Sequence, residues 1–80
     1  MSASKKTKFE IAVIDKVREK RLALNLSQED LGRFLNSSRG FIGQVESSNY
    51  AAKYNLNHLN ILAAELGCSP QEFIPEKSII

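Results

Sequence analysis

Inward-facing positions recur at helical spacing in the first part of the chain. From Phe9 onward they follow one another at three- and four-residue steps, with charged residues between them. These positions are Val13 or Ile14, Val17, Arg21 and Leu24. Asn25 tolerates the left-handed backbone conformation that often ends a helix. The pattern therefore predicts an amphipathic first helix that begins near Phe9 and ends near Asn25.

Two short helices are predicted next, separated by a turn of three or four residues. Ser27 is the expected N-cap of the second helix, because two carboxylates, Glu29 and Asp30, follow in its first turn. The apolar face of this helix consists of Leu31, Phe34 and Leu35. A run of polar residues then interrupts the pattern, and Ser38 is the predicted cap of the third helix.

The third helix is predicted to have one buried and one exposed face. Ile42 and Val45 have the spacing of an inward pair, since residues three apart lie on the same side of a helix. The outward positions are Arg39, Gly40, Gly43 and Gln44. The two glycines weaken a helix relative to alanine. They either permit a close approach to a partner or indicate a helix that no longer makes specific contacts.

The pattern predicts two more helices after a polar loop of residues 47–55. The fourth has the apolar positions Leu56, Leu59, Leu62, Ala63 and Leu66, and Gly67 is suited to end it. A short fifth helix is predicted from Ser69-Pro70 through Phe73, before Pro75. We therefore expect an all-α fold, a compact five-helix bundle over residues 9–75, between a flexible basic tail of residues 1–8 and a C-terminal tail of residues 76–80.

Length and composition narrow the function classes. Eighty residues form one domain with a modest core and little room for an enclosed substrate pocket. The single cysteine, Cys68, cannot form an internal disulfide, and no histidine or cysteine cluster has metal-ligand spacing. No apolar run is long enough to cross a membrane. We expect a cytoplasmic protein without metal, cofactor, small-molecule ligand or membrane partner.

Charge is distributed unevenly along the chain. Residues 1–40 contain nine Lys and Arg against five Asp and Glu, whereas residues 41–80 contain two against four, giving +4 and −2. The basic half would face a polyanion. The lysines of the N-terminal tail, Lys5, Lys6 and Lys8, belong either to a solubilising extension or to an arm that contacts phosphates.

Two short helices joined by a tight turn are the unit that presents its second helix to the major groove of DNA. The sequence around this unit contains Val17-Arg18-Glu19-Lys20-Arg21, Asn25-Leu26-Ser27-Gln28-Glu29-Asp30-Leu31, Ser38-Arg39, Ile42, Val45-Glu46, Leu59, Leu62-Ala63 and Leu66-Gly67-Cys68-Ser69. In these residues the chain resembles the XRE family, the Cro and phage-repressor type of helix-turn-helix protein. The resemblance implies a lambda-repressor-like DNA-binding domain with the helix-turn-helix at helices 2 and 3.

The resemblance also implies roles for individual residues. Gln28 would bind a backbone phosphate, with Ser27 and Ser38 as further phosphate neighbours. The family's base-facing positions are occupied here by Arg39, Gly40, Phe41 and Gln44. Arg39 is suited to guanine and Gln44 to adenine. Asn49 stands in place of the glycine turn of relatives and is included among the DNA-binding residues.

Several of these residues have a structural interpretation beside the DNA-binding one. Ser27 and Ser38 are helix caps, whether or not they also contact phosphate. Phe41 either contacts a thymine methyl group or packs against the core. Family members often pair a first-helix arginine with the glutamate that ends the third helix, and Arg21 and Glu46 occupy those positions. This ion pair would orient the third helix.

The sequence therefore predicts a non-enzymatic, repressor-like regulator of prokaryotic or phage origin that binds double-stranded DNA as a homodimer. A single helix-turn-helix unit contacts about one half-site, which is why a dimer is expected. The alternative is a protein-interaction module, such as an antitoxin or a bridging factor, that keeps the fold. An enzyme is disfavoured because no nucleophile with a neighbouring base and no glycine-rich phosphate loop is visible.

Overall fold

The computed structural model describes residues 5–80, which form four α-helices and a final 3₁₀ turn. The elements are α1 (Lys8–Ala23), α2 (Gln28–Phe34), α3 (Arg39–Glu46), α4 (Leu56–Leu66) and the 3₁₀ turn Pro70–Phe73. No strand occurs within this part of the chain. The all-helical prediction is confirmed, and α2 with α3 forms the predicted helix-turn-helix unit.

Each α-helix begins at a polar side chain that accepts a hydrogen bond from a backbone N–H of the first turn. Ser27 caps α2 in a reciprocal arrangement with Asp30, and Ser38 caps α3, as predicted. The Ser27 backbone N–H also holds the pKa of the Asp30 carboxyl below its usual range. After α1, Asn25 adopts a positive φ of 62°, and Gly67 ends α4 at a φ of 71°. The capping residues therefore fix the helix boundaries.

The core lies where α1, α2, α3 and α4 meet over the 3₁₀ turn. Its fully buried side chains are Val17, Leu31, Ile42, Val45, Leu62 and Phe73. The inward pair Ile42 and Val45 is therefore confirmed. The expected inward positions Leu24 and Leu56 are instead exposed, by 46% and 80%. Both lie at a helix end, since Leu24 is the C-cap of α1 and Leu56 is the first residue of α4.

The predicted fifth helix is wrong in type, since residues Pro70–Phe73 form a single 3₁₀ turn. Ile74 follows with φ −100° and ψ 125°, an extended conformation. A residue before proline is pushed out of the helical region, so Pro75 prevents the turn from continuing. The fold is thus a four-helix domain with a 3₁₀ turn, and residues 76–80 follow outside any helix.

The N-terminal boundary also differs from the predicted tail of residues 1–8. Thr7 caps α1, which begins at Lys8, and the Lys6 side chain is only 5% exposed. Lys5 is exposed, as a tail residue would be. The rest of the tail prediction, residues 1–4, falls outside the described residues. The folded domain therefore includes Lys6, which the polar sequence around it had placed in the tail.

A close approach of backbones joins α2 to α3. A Cβ atom at Gly32 would lie 2.9 Å from the Ser38 carbonyl carbon and 3.1 Å from the Arg39 nitrogen, which is closer than side chains tolerate. The Ser37 N–H donates to the Gly32 carbonyl over 2.7 Å across the same turn. Glycine at position 32 therefore sets the distance between the two helices.

Candidate nucleic-acid interface

The third helix has a buried face and an exposed face, and the exposed one carries the predicted base-facing polar residues. Ile42 and Val45 are fully buried. Arg39, Gly40 and Gln44 are exposed on the outer side. An arginine and a glutamine on an exposed helix can form paired hydrogen bonds with guanine and adenine edges. The geometry therefore leaves these side chains available to a groove.

The serine caps lie at the N-terminal ends of α2 and α3. Ser38 Oγ accepts from the Phe41 N–H at 3.0 Å, and Ser27 Oγ accepts from the Asp30 N–H at 3.0 Å. A serine hydroxyl that accepts one hydrogen bond can still donate its own proton. Both residues are exposed, so capping leaves a donor that could meet a phosphate oxygen.

Gln28 connects α2 to the C-terminal end of α3. Its Nε2 donates to Glu46 Oε1 at 3.1 Å, and its Oε1 lies near Gly43, where a Cβ atom would be 3.4 Å away. A primary amide has two N–H donors, so one remains for another acceptor. Gln28 is half-buried at the surface of the unit. Its orientation is therefore fixed within the protein before any phosphate is bound.

The structure places Arg21 against Glu46 in the ion pair that the resemblance implied. Arg21 Nε lies 2.9 Å from Glu46 Oε2, and a terminal guanidinium nitrogen lies 2.8 Å from Oε1. Arg21 also donates to the Leu26 carbonyl at 3.0 Å. The two side chains are 9% and 5% exposed. This bidentate, nearly buried pair ties α1 to the end of α3.

Phe41 packs into the protein. It is half-buried against the core, and its ring centroid lies 5.5 Å from that of His58 in a tilted arrangement. His58 in turn accepts a hydrogen bond from the Asn55 N–H through Nδ1 at the start of α4. The packing interpretation of Phe41 fits this half-buried position, and the thymine-methyl contact stays a prediction.

Asn49 lies in an exposed turn after α3. Its N–H donates to Ser47 Oγ at 3.2 Å, so the serine side chain forms the turn. Positive φ values among the described non-glycine residues occur only at Asn25 and Asn36. Asn49 therefore does not reproduce the left-handed turn of a glycine, although its exposure leaves it accessible to a partner.

The rest of this loop is attached to the domain at Lys53 and Tyr54. Lys53 Nζ lies 2.9 Å from Glu10 Oε2, which lowers the pKa of the Glu10 carboxyl. The Tyr54 hydroxyl is buried and has no hydrogen-bond partner within residues 5–80. Burial, followed by the charge of Glu46, raises the pKa of Tyr54.

Sequence reasoning missed two residues that position α3. Gly32 permits the close approach of α2, and Lys6 places its Nζ at the end of α3. Lys6 Nζ donates to the carbonyls of Gln44 at 3.1 Å and Ser47 at 2.6 Å, and also to that of Val45. Burial, with a smaller effect of Lys53, lowers the pKa of Lys6. Backbone acceptors leave no pattern in a sequence, so only the structure could show this contact.

Residues 5–80 bring no three His, Cys, Asp or Glu side chains together in an arrangement that could hold a metal ion. Among their helices, none combines the length and the apolar character needed to span a bilayer. The candidate site is the exposed face of α3, with Arg39 and Gln44.

Comparison with known proteins gives a family. A helix-turn-helix family model matches residues 17–73, which includes α2, α3, α4 and the 3₁₀ turn. No curated protein and no solved structure gave a significant match to the chain. The matched region covers most of the sequence and includes the ion pair and both cap serines. The chain therefore belongs to the XRE-type helix-turn-helix family of DNA-binding proteins.

Proposed function

We propose that this protein binds double-stranded DNA in a sequence-specific manner, with α3 in the major groove, and acts as a repressor-like transcription regulator. The observation that carries the proposal is the exposed pair Arg39 and Gln44 on a helix whose opposite face is fully buried. A major groove about 12 Å wide admits such a helix. No catalytic step is part of this function.

The proposed contacts fall into two groups. Arg39 and Gln44 contact base edges, and each well-formed pair contributes on the order of 1–3 kcal/mol of discrimination between bases. Gly40, which has no side chain, allows the start of α3 to approach the groove. Gln28, Ser27 and Ser38 bind phosphates and place the helix without selecting sequence. Asn49 adds a contact from the turn after α3.

A homodimer is the proposed active form, because one helix-turn-helix unit contacts about one half-site. Two copies would then place their α3 helices one helical turn of DNA apart. The proposed contact surface between copies consists of exposed apolar residues at the start of α4 and in the C-terminal segment, namely Leu56, Ile74, Ile79 and Ile80. We place this activity in the cytoplasm of a prokaryotic cell, on chromosomal or phage DNA.

Selection of bound sequences from a random duplex library tests the proposal. A palindromic consensus, with affinity that falls steeply as salt rises, is expected from a dimer that binds a specific site. Recovery of random sequences with weak binding would contradict it and would direct attention to a protein partner, the function of an antitoxin or bridging factor.

Substitutions distinguish the proposed base contacts from the proposed phosphate contacts. Arg39→Ala and Gln44→Ala should change which bases are preferred at one position each, whereas Gln28→Ala should weaken binding equally across sequences. Gln71→Ala serves as a control, because Gln71 is an exposed glutamine in the 3₁₀ turn outside the proposed interface. If all three interface variants bound like the control, α3 would not be the recognition helix.

A further inference from the structure

The ammonium group of Lys6 lies at the C-terminal end of α3. It donates to the carbonyls of Gln44, Val45 and Ser47, which converge on one nitrogen. The residue is 5% exposed, although its neighbour Lys5 is exposed. A lysine is almost never buried to this degree unless its charge is compensated. The convergence of three carbonyls supplies that compensation.

The last carbonyls of a helix need such a partner. No N–H group within the helix donates a hydrogen bond to them, and together they form the negative end of the helix dipole. No basic residue occurs in the last turn of α3, and the helix ends with the carboxylate of Glu46. Arg21 pairs with that carboxylate, and the Ser47 N–H donates to the Gln44 carbonyl at 3.2 Å. Lys6 adds a cation from another part of the chain to the remaining carbonyls of this end.

The position of Lys6 is itself fixed. The hydroxyl of Thr7, the next residue, caps α1 by accepting from the Glu10 N–H at 3.1 Å. The Glu10 carboxylate in turn accepts from the Thr7 N–H at 2.8 Å. The backbone next to Lys6 is thereby held at the start of α1. The side chain thus connects the first turn of one helix to the last turn of another.

We propose that Lys6 is a positioning residue for DNA recognition, which holds the C-terminal end of α3 and the Ser47 carbonyl so that Gln44 meets the groove in a fixed orientation. This inference rests on the proposed function of α3. It differs from a role for the N-terminal lysines as a phosphate-contacting arm, because a buried ammonium that is engaged by three carbonyls cannot neutralise phosphates.

The salt dependence of DNA affinity separates the two roles. Lys6→Met removes the ammonium and keeps the length of the side chain, and Lys5→Met removes the same charge from an exposed neighbour. We expect Lys6→Met to weaken binding of the selected duplex about tenfold, the factor that corresponds to one charge-assisted hydrogen bond. The slope of log affinity against log salt should equal that of the wild-type protein, since no phosphate contact is lost, and should be at least as steep as that of Lys5→Met.

Two results would overturn the inference while leaving the proposed function intact. One is wild-type affinity in Lys6→Met. The other is a loss of affinity with a salt slope that is smaller by about one than in the wild-type protein, as removal of a phosphate contact produces. Absence of sequence-specific binding by the wild-type protein would overturn the proposed function and this inference together.

A measurement without DNA tests the contact directly. Amide hydrogen exchange in Lys6→Met should be faster at Val45, Glu46 and Ser47 than in the wild-type protein, while α4 keeps its protection. If Lys6→Met does not fold, NMR of the wild-type lysine ammonium groups decides. One ammonium, that of Lys6, should exchange slowly with water, and equally rapid exchange of all lysine ammoniums would overturn the inference.

Discussion

The two ends of α3 are held by different means. At the C-terminal end, charged and amide side chains converge: Arg21 and Gln28 on the Glu46 carboxylate, and Lys6 on the last carbonyls. At the N-terminal end, the backbone of α2 approaches Ser38 closely at Gly32, and the Ser38 hydroxyl caps the helix. The C-terminal end of α3 is thus held by charged groups, and its N-terminal end by a close approach of two backbones.

The difference assigns separate tasks to the two ends and to the face between them. Charge-dependent contacts set the direction in which α3 points, and the close backbone approach sets its distance from α2. Arg39 and Gln44 take part in these contacts only through their backbone atoms, and their side chains are exposed and enter neither. Substitutions can therefore be chosen that disturb orientation, spacing or base contact one at a time.

The largest expected effect is at the charged end. Arg21→Met leaves the Glu46 carboxylate, 5% exposed, without its bidentate partner, so the free energy of unfolding should fall by about 3 kcal/mol, as when one member of a buried pair is removed. Arg18→Met is the matched control, because the Arg18 side chain is 54% exposed and its Nε lies 3.9 Å from the same carboxylate.

Thermal and urea unfolding followed by circular dichroism measure both variants. The control should lose less than about 1 kcal/mol, the usual contribution of an exposed ion pair. Equal losses from Arg18→Met and Arg21→Met would show that burial of the pair does not distinguish the two arginines.

The next largest effect on the free energy of unfolding is expected at Gly32, where the backbones of α2 and α3 lie close together. In Gly32→Ala the new methyl group would lie 2.9 Å from the Ser38 carbonyl carbon, and overpacking of this kind costs about 1–3 kcal/mol. Gly40→Ala has only the Ser38 hydroxyl within range, at 3.7 Å, and should stabilise α3 by about 0.5 kcal/mol through helix propensity. Unfolding by urea should give opposite signs for the two variants, and a neutral Gly32→Ala would mean that the helices separate easily.

A smaller effect is expected from the cap of α3. Ser38→Ala removes the oxygen that accepts from the Phe41 N–H, and loss of such a cap costs about 1 kcal/mol. Ser37→Ala is a suitable control, because Ser37 is an exposed serine in the same turn whose backbone N–H makes its hydrogen bond to Gly32. Unfolding curves that coincide for the two variants would contradict a capping role.

The smallest effect on stability is expected on the exposed face. Arg39→Ala and Gln44→Ala should change the free energy of unfolding by less than about 0.5 kcal/mol, as surface substitutions usually do. The same proteins should show altered base preference in binding to the selected duplex. A large loss of stability in either variant would mean that the residue supports the fold and is not free for base contact.

The sequence predicted the elements that depend on local chemistry. Ser27, Ser38 and Gly67 mark helix boundaries through their own side chains or backbone freedom, and the structure has them there. The three-residue spacing of Ile42 and Val45 predicted that both are buried, and in the structure both are. Of the site, the Arg21 and Glu46 pair came from the family resemblance, because nothing local relates residues this far apart in sequence.

The predictions for Lys6, Leu56 and the final helix differ from the structure for physical reasons that the local sequence pattern does not contain. Lys6 was assigned to a tail because a lysine among serines and lysines is normally solvated, and its acceptors are carbonyls that every residue has. Leu56 fits the apolar spacing, but it is the first residue of α4 and is 80% exposed. The final helix is reduced to a 3₁₀ turn by the conformational demand of Pro75 on Ile74.

The Lys6 contact has a consequence for the order of folding. Its hydrogen bonds join residues 38, 39 and 41 positions apart, whereas the Ser37 to Gly32 bond closes a short turn. Short loops close at less entropic cost and sooner than long ones. We therefore expect the helix-turn-helix unit of α2 and α3 to assemble early in refolding, and the C-terminal end of α3 to stay mobile until the N-terminal segment docks. During synthesis the order is reversed, because Lys6 leaves the ribosome before the carbonyls that accept its hydrogen bonds.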